Sequence, residues 1–300
     1  MNLKHICVCI CTYKRPGLLD RLLRELKEQE TADLFTYSVV VIDNDSEASA
    51  RETVLSFAEQ TSLKVYYEVE PEQNISLARN RAVAHASGDY IALFDDDQYP
   101  KRDWLLTLFG AINHFESDGV LGPVKPYFET EPPSWFIKGK FHERKTHKTG
   151  KYIEWTEGRT GNVLLKKELF DNEPEPFDPK FGSGAEDQDF FRRMMLKGHK
   201  FVWCNEAVGY EYISPSRWRR GFLLRRALLR GKVSLNHPGT GFKNVVKSIA
   251  AITVYLSILP FLAVIGHHHF MRYLVKLCDH IGLVMTAARL KVVGDKYIVE

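Results

Sequence analysis

GDYIALFDDDQYP, residues 88–100, runs a short apolar stretch straight into three consecutive aspartates. Tyr90 to Phe94 has the length and the aromatic and β-branched content of a buried strand, so the carboxylates of Asp95, Asp96 and Asp97 emerge at its C-terminal end. Adjacent like charges at a strand mouth repel one another and lose hydration, which calls for a compensating cation. If the segment stays extended, alternate side chains share a face and Asp95 and Asp97 point the same way. Mg²⁺ or Mn²⁺ carrying substrate phosphates meets that need, because hard divalent ions take oxygen ligands, use one or two protein carboxylates and complete their shell with phosphate and water. For an isolated DDD, a solvated acidic turn is the plainer alternative.

Upstream, the residues 6–11 form a predicted buried strand that ends in Thr12, Tyr13, Lys14, Arg15, Pro16 and Gly17. Leu18, Leu19, Leu22, Leu23 and Leu26 then repeat at helical spacing. A second strand over 37–42 ends in Asp43 and Asp45, a helix over 48–60 follows, and a third strand covers 63–69. Ser76 is the expected cap of a helix that turns Ala78, Ala82, Val83 and Ala86 to the sheet and stops at Gly88. Strands alternating with helices predict a parallel sheet of βαβ units, with ligands outside the carboxyl ends of the strands. No GxGxxG follows the first strand, which argues against a dinucleotide-binding domain.

Downstream, residues 103–115 read as an amphipathic helix. Residues 130–155, rich in Pro, Lys, His and aromatics, read as a long loop, either an acceptor-facing flap with His142 and His147 or a mobile basic surface. The 300 residues carry a net charge of only +3, and the cysteines at 7, 9, 11, 204 and 278 show no metal or disulfide spacing, in keeping with reduced thiols packed as small apolar groups. The N-terminal segment lacks the architecture of a signal peptide. Between Tyr212 and Cys278 there are eleven Lys and Arg residues and no Asp or Glu, so that segment is expected to face something anionic. Inside it, Ser248 to Gly266 is nineteen residues without a charge, and Tyr273 to Leu290 is a second apolar stretch interrupted by Lys276, Asp279 and Arg289. This pattern predicts a tail lying in or dipping into an anionic membrane surface, against the alternative of a helical pair folded on the protein or closing a homo-oligomer.

Taken together, ICTYKRP (10–16), VVVIDNDS (39–46), NISLARNRAVAHASGDYIALFDDDQYP (74–100), TGNVLLKKELF (160–170) and FDPKFGSGAEDQDFFRRMMLKGHK (177–200) resemble the family 2 glycosyltransferases of the GT-A fold. The resemblance covers residues 5 to about 232 and implies a nucleotide-diphospho-sugar transferase domain over 1–232: α/β, a mixed, mostly parallel central sheet flanked by helices. Residues 233–300 would form a helical, membrane-associating appendage. By the same resemblance, Thr12, Tyr13 and Arg15 line the nucleotide pocket, Asp43 accepts a hydrogen bond from the base, and Arg79 contacts the nucleotide or its diphosphate. Asp95 stands near ribose and metal, Asp97 is the direct ligand of Mn²⁺ or Mg²⁺, and Asp96 is the variable middle position. Gly161 and Asn162 approach donor sugar and acceptor. Asp187 is the expected general base, Glu186 helps hold the acceptor or position the loop, and Asp189 caps the following helix. Many relatives place a histidine near the metal where this chain has Glu211 or Tyr212.

The expected activity is therefore inverting, metal-dependent transfer of a sugar, from a UDP-sugar first of all, to a lipid-linked glycan acceptor, as in bacterial polysaccharide synthesis at the cytoplasmic membrane face. The alternative is a non-catalytic membrane adaptor that binds nucleotide sugar on the same scaffold. Nothing resembles a known nucleic-acid-binding fold, so no nucleic-acid partner is expected.

Overall fold

The computed structural model describes residues 3–182, 184–235 and 240–290. In chain order they form β1 (Lys4–Thr12), α1 (Pro16–Lys27), β2 (Phe35–Asp43), α2 (Arg51–Glu59), β3 (Val65–Val69), α3 (Ile75–His85), β4 (Tyr90–Phe94), β5 (Gln98–Pro100) and α4 (Trp104–His114). These are followed by β6 (Gly119–Leu121), β7 (Val124–Tyr127), α5 (Ser134–Lys138), β8 (Asn162–Lys166), α6 (Glu186–Leu196), β9 (Phe201–Trp203), β10 (Gly209–Tyr212), α7 (Arg220–Ser234), α8 (Phe242–Ile265) and α9 (His267–Ala287). The chain divides into two compact units, one running to Pro126 and resuming over Arg144–Glu211, the other made of Tyr127–Glu143 and the chain from Tyr212 onward.

In the first unit a seven-stranded sheet has the order β3-β2-β1-β4-β8-β6-β9. The first four strands pair parallel, β8 runs antiparallel to both β4 and β6, and β9 returns parallel to β6. Both faces are covered, as a largely parallel sheet requires. In β1 the period of two divides the side chains: Ile6, Val8 and Ile10 join the leucines of α1 and Trp104, Leu105 and Leu108 of α4, while Cys7 and Cys9 join Ala78 and Ala82 of α3 and Phe190 and Phe191 of α6. The alternate cysteines of β1 are thus packing groups. A second, three-stranded sheet has the order β5-β10-β7.

Three local expectations are corrected. The aspartates do not continue the strand: β4 ends at Phe94, and Gln98 N–H closes a turn on the Asp95 carbonyl at 3.2 Å. The cap of α3 is Asn74, whose side-chain oxygen accepts from Ser76 N–H at 3.0 Å and Leu77 N–H at 3.4 Å, so Ser76 lies inside the helix. His147 does not stand open on a flap, since its side chain is 7% exposed, 3.0 Å from Glu157 and edge-on to Trp203.

The second unit begins at Tyr212 and takes in Tyr127–Glu143, so the compact boundary falls before the composition change expected near residue 232. The physical reason is α7, whose apolar side joins the core of this unit: Phe136, Ile213, Leu223, Ala227 and Val275 pack together. His142, expected on the same flap as His147, is also in this unit, its ring 5.3 Å from that of Phe136. α7 and α9 approach backbone to backbone. A Cβ on Gly231 would meet the Asp279 carbonyl at 2.0 Å, and one on Gly282 the Leu228 carbonyl at 2.2 Å. Residues 291–300, assigned to the tail from sequence, lie outside the described residues.

Candidate active site

β1, β2 and β4 run side by side, so their C-terminal ends deliver Thr12, Asp43 and the aspartate turn to one edge of the sheet. There the Thr12 hydroxyl donates to Asp96 Oδ2 at 2.7 Å, and one guanidinium nitrogen of Arg15 reaches Asp96 Oδ1 at 3.3 Å and Asp97 Oδ2 at 3.4 Å. Burial pushes the Asp96 carboxyl up to about 6, Arg15 and the Thr12 hydrogen bond pull it down, and Asp97 adds to the rise. Asp96 therefore ties the turn after β1 to the turn after β4, a structural part in keeping with its middle position. Tyr13 is half-buried in the same turn, with the Lys14 ammonium 5.5 Å from its ring centre.

Asp95 is the most open of the three: its side chain is 40% exposed, against 11% for Asp97 and 7% for Asp96. Its Oδ2 accepts from Gln98 Nε2 at 3.2 Å, and Arg79 approaches Oδ1 at 3.5 Å. Burial raises its carboxyl above the usual range, Arg79 opposes this, and Asp97 reinforces it. Gly161 lies directly against it, since a Cβ there would meet Asp95 Oδ2 at 2.3 Å. Two carboxylates sharing one negative field form an oxygen donor set that suits a hard divalent ion. Among the described residues no three acidic, histidine or cysteine side chains converge as a metal cage, so such an ion would take the rest of its shell from a diphosphate and water.

Arg79 links this turn to α6. It is 9% exposed, and its guanidinium pairs with Glu186 Oε1 as well as approaching Asp95. Both acids hold the arginine protonated against its own burial. Glu186 is 5% exposed, its Oε2 has no hydrogen-bond partner, and burial together with Asp187 pushes its carboxyl up to about 7 despite Arg79. The backbone entering α6 is left-handed at two successive residues, Gly184 at φ 128° and Ala185 at φ 86°. A left-handed alanine costs on the order of 1 kcal/mol and is held by its surroundings. Next to it, Asp187 is half-buried and accepts from Gln188 N–H at 2.7 Å. Asp189 does not cap the helix; its carboxylate receives Arg193 Nε at 2.8 Å, one turn on.

Two expected site residues serve the scaffold. Asp43 has no exposed surface, and its oxygens accept from Ala50 N–H at 2.7 Å, Tyr67 OH at 3.1 Å and Asp45 N–H at 3.2 Å, so it shapes the loop after β2. In the same loop Asp45 is 4% exposed, lies 3.8 Å from Lys14, and has an Oδ2 without a hydrogen-bond partner. Asn162 is 2% exposed with its amide fully used: Oδ1 accepts from Trp104 Nε1 at 2.8 Å, and Nδ2 donates to the Pro123 carbonyl at 3.0 Å and the Ala207 carbonyl at 2.8 Å. Its amide joins β8 to α4 and to the carbonyls of Pro123 and Ala207. Sequence reasoning missed Gln98 and Arg144. Gln98 bonds Asp95 and pairs in register with Glu211; Arg144 bonds Glu211 from a residue 67 positions away. Position directly after DDD was a usable signal for Gln98; no local signal marks Arg144.

The profile of Glycosyl transferase family 2 matches residues 7–172. The chain is 32% identical over 229 residues to the succinoglycan biosynthesis protein ExoM of Rhizobium meliloti, covering 76% of this chain and 73% of that one. It is 26% identical over 252 residues to chondroitin synthase of Escherichia coli, of which it spans 35%. Among solved structures, the mannosyltransferase PcManGT of Pyrobaculum calidifontis, in complex with GDP-Man and Mn²⁺, superposes with a TM-score of 0.63 at 17% identity over 96% of this chain and 87% of that one. S. aureus TarS 1-349 in complex with UDP-GlcNAc superposes with a TM-score of 0.54 at 16% identity, over 95% of this chain and 92% of that one. With the mixed sheet, the aspartate turn at its edge and this profile match in agreement, the chain belongs to glycosyl transferase family 2 and is a glycosyltransferase of the GT-A fold.

Proposed function

We propose that the chain is an inverting, metal-dependent glycosyltransferase that moves a sugar from a nucleotide diphosphate, a UDP-sugar first of all, to a lipid-linked glycan in bacterial polysaccharide synthesis, at the cytoplasmic face of the membrane. The observation that carries this reading is Arg79, which joins Asp95 of the donor-side turn to Glu186 beside the base. In this arrangement Asp95 and Asp97 would hold Mn²⁺ or Mg²⁺, which would supply positive charge to a departing diphosphate. The solved relatives support a nucleotide-sugar donor, one holding GDP-Man with Mn²⁺ and another UDP-GlcNAc. The succinoglycan protein and chondroitin synthase support a polysaccharide product.

Asp187 takes the proton of the acceptor hydroxyl as its oxygen attacks the anomeric carbon, and the bond to the diphosphate breaks on the opposite face. Arg15 and the turn from Thr12 to Arg15 position the nucleotide. The base contact falls to Asp45, whose buried Oδ2 has no hydrogen-bond partner while the oxygens of Asp43 are occupied. Gly161 leaves room beside Asp95 for the donor.

The test is the thermal stability of the protein with UDP, GDP, dTDP and CMP, each with and without Mn²⁺. A ligand that binds only the folded state, at 100 times its Kd, stabilises by about 2.7 kcal/mol. One nucleotide is expected to raise the melting temperature only with the metal. Asp97→Ala loses that shift, and Asp187→Asn keeps it while turnover ceases. Full turnover in Asp187→Asn overturns the base assignment, no shift with any nucleotide overturns the nucleotide-sugar donor, and a metal-dependent shift without turnover in the parent moves the reading to the non-catalytic adaptor.

A further inference from the structure

Among the described residues α8 is the one helix long and apolar enough to cross a membrane; it has 24 residues, and only 11% of its most apolar stretch is buried. It would extend about 36 Å. Its exposed apolar side chains run the whole length, from Phe242 and Val246 through Ile249, Val254 and Leu256 to Phe261 and Val264.

What it packs against argues about its orientation. Ser248 Oγ lies 3.0 Å from His280 Nδ1, and the rings of Tyr255 and Tyr273 are 5.7 Å apart. These two contacts put α9 antiparallel beside α8, with Lys276 and Asp279 level with the stretch from Ser248 to Tyr255. Asp279 is in turn held by Arg230 of α7 through two hydrogen bonds of 3.0 Å. α7 cannot draw away without opening the glycine contacts at Gly231 and Gly282. If α8 crossed a bilayer, α9 would go with it and carry Lys276, Asp279 and Arg230 to hydrocarbon depth. Each charge at a helix centre there is costly to insert. Lying along the surface costs none of this, and Lys243 and Lys247 at the start of α8 then stand at the headgroup level.

We propose that α8 lies flat in one leaflet of an anionic bilayer, its exposed side among the upper acyl chains, with α9 and α7 on its water side. This rests on the membrane reading above and specifies its geometry. The occupant of the apolar face is lipid, because the surrounding sequence from Tyr212 to Cys278 is basic and free of acids.

The experiment uses the full chain in a Cys11→Ser, Cys278→Ser background with a fluorophore at Val246→Cys, Val254→Cys or Val264→Cys, all on the exposed side. Flotation with phosphatidylcholine vesicles, with and without phosphatidylglycerol, reads binding, and lipid-attached quenchers at graded depths read position. Binding that needs the anionic lipid, weakens several-fold in Lys243→Glu, Lys247→Glu, and places all three labels at one shallow depth is the expected result. A Val254 label at the bilayer centre with the other two near opposite surfaces overturns the flat placement and leaves membrane binding standing. No flotation with either vesicle overturns the membrane reading itself. Shielding of the three labels without vesicles, alongside a concentration-dependent dimer, assigns the face to a second copy and overturns the proposal.

Discussion

The two oxygens of Glu186 have different fates, one paired with Arg79 and the other buried without a partner. The consequence is a pH dependence with a definite sign. Its carboxyl is ordinarily half-ionised near 4.5 and is raised to about 7 in the folded chain, so folding takes up a proton between those values. The unfolded chain binds fewer protons there, and this residue therefore lowers stability as pH rises from about 4.5 to 7, after which the loss is complete. The full effect is on the order of 3 kcal/mol. Chemical denaturation at several pH values should show Glu186→Gln losing this part of the slope relative to the parent. An identical slope in the two proteins would mean that Glu186 is ionised throughout. The aspartates at 95–97 were legible as an acidic turn at a strand end from their types and order, whereas Asp187 was singled out by the family resemblance. The fate of Asn162 was not, because its partners Trp104, Pro123 and Ala207 are remote in the chain.

At the scale of elements, α3 shows how a cap can carry long-range order. Asn74 caps the helix, donates through Nδ2 to the Pro179 carbonyl at 3.0 Å, and its own N–H bonds Asn44 Oδ1 at 3.0 Å. A Cβ on Gly182 would meet this side chain at 2.3 Å, so the loop leading towards α6 is shaped around it. Loss of a helix cap costs about 0.5–2 kcal/mol. Asn74→Ala is therefore expected to fall near the upper end in urea unfolding, while Asn74→Asp keeps the capping oxygen, loses the amide donor and should recover part of the difference. Equal stabilities for Asn74→Ala and the parent would remove the cap from the account. The helical period of α1, and the length and β-branched content of β4, made those elements readable. The cap was misread because Ser76 and Asn74 are both good capping residues, and only the backbone decides which one has the extended conformation.

At the scale of the whole molecule each of the two compact units has apolar packing of its own, two clusters on the faces of the large sheet in the first and one in the second. Gly231 sits where α7 touches the α9 backbone, with the Asp279 carbonyl 2.0 Å from where a Cβ would be. Gly231→Val forces the two helices apart, and overpacking of this kind costs about 1–3 kcal/mol. Metal-dependent nucleotide binding, which uses residues of the first unit, is expected to persist in that variant while vesicle flotation weakens. Loss of nucleotide binding together with flotation would show that the two units fold as one. What the sequence determined by itself was everything carried by neighbours in the chain: strands and helices from their periods, an acidic turn at a strand end, a basic apolar tail, and the ordered blocks of a family. Tertiary structure decided which polar groups are used up and which stay open. Arg79 meets Glu186 across 107 positions and Arg144 meets Glu211 across 67, pairings that no local pattern encodes. Arg79 stands in α3 and Glu186 at the start of α6, Arg144 in a loop and Glu211 in β10 of the small sheet, so the fold brings separate elements together and burial leaves each charge to find its partner in space.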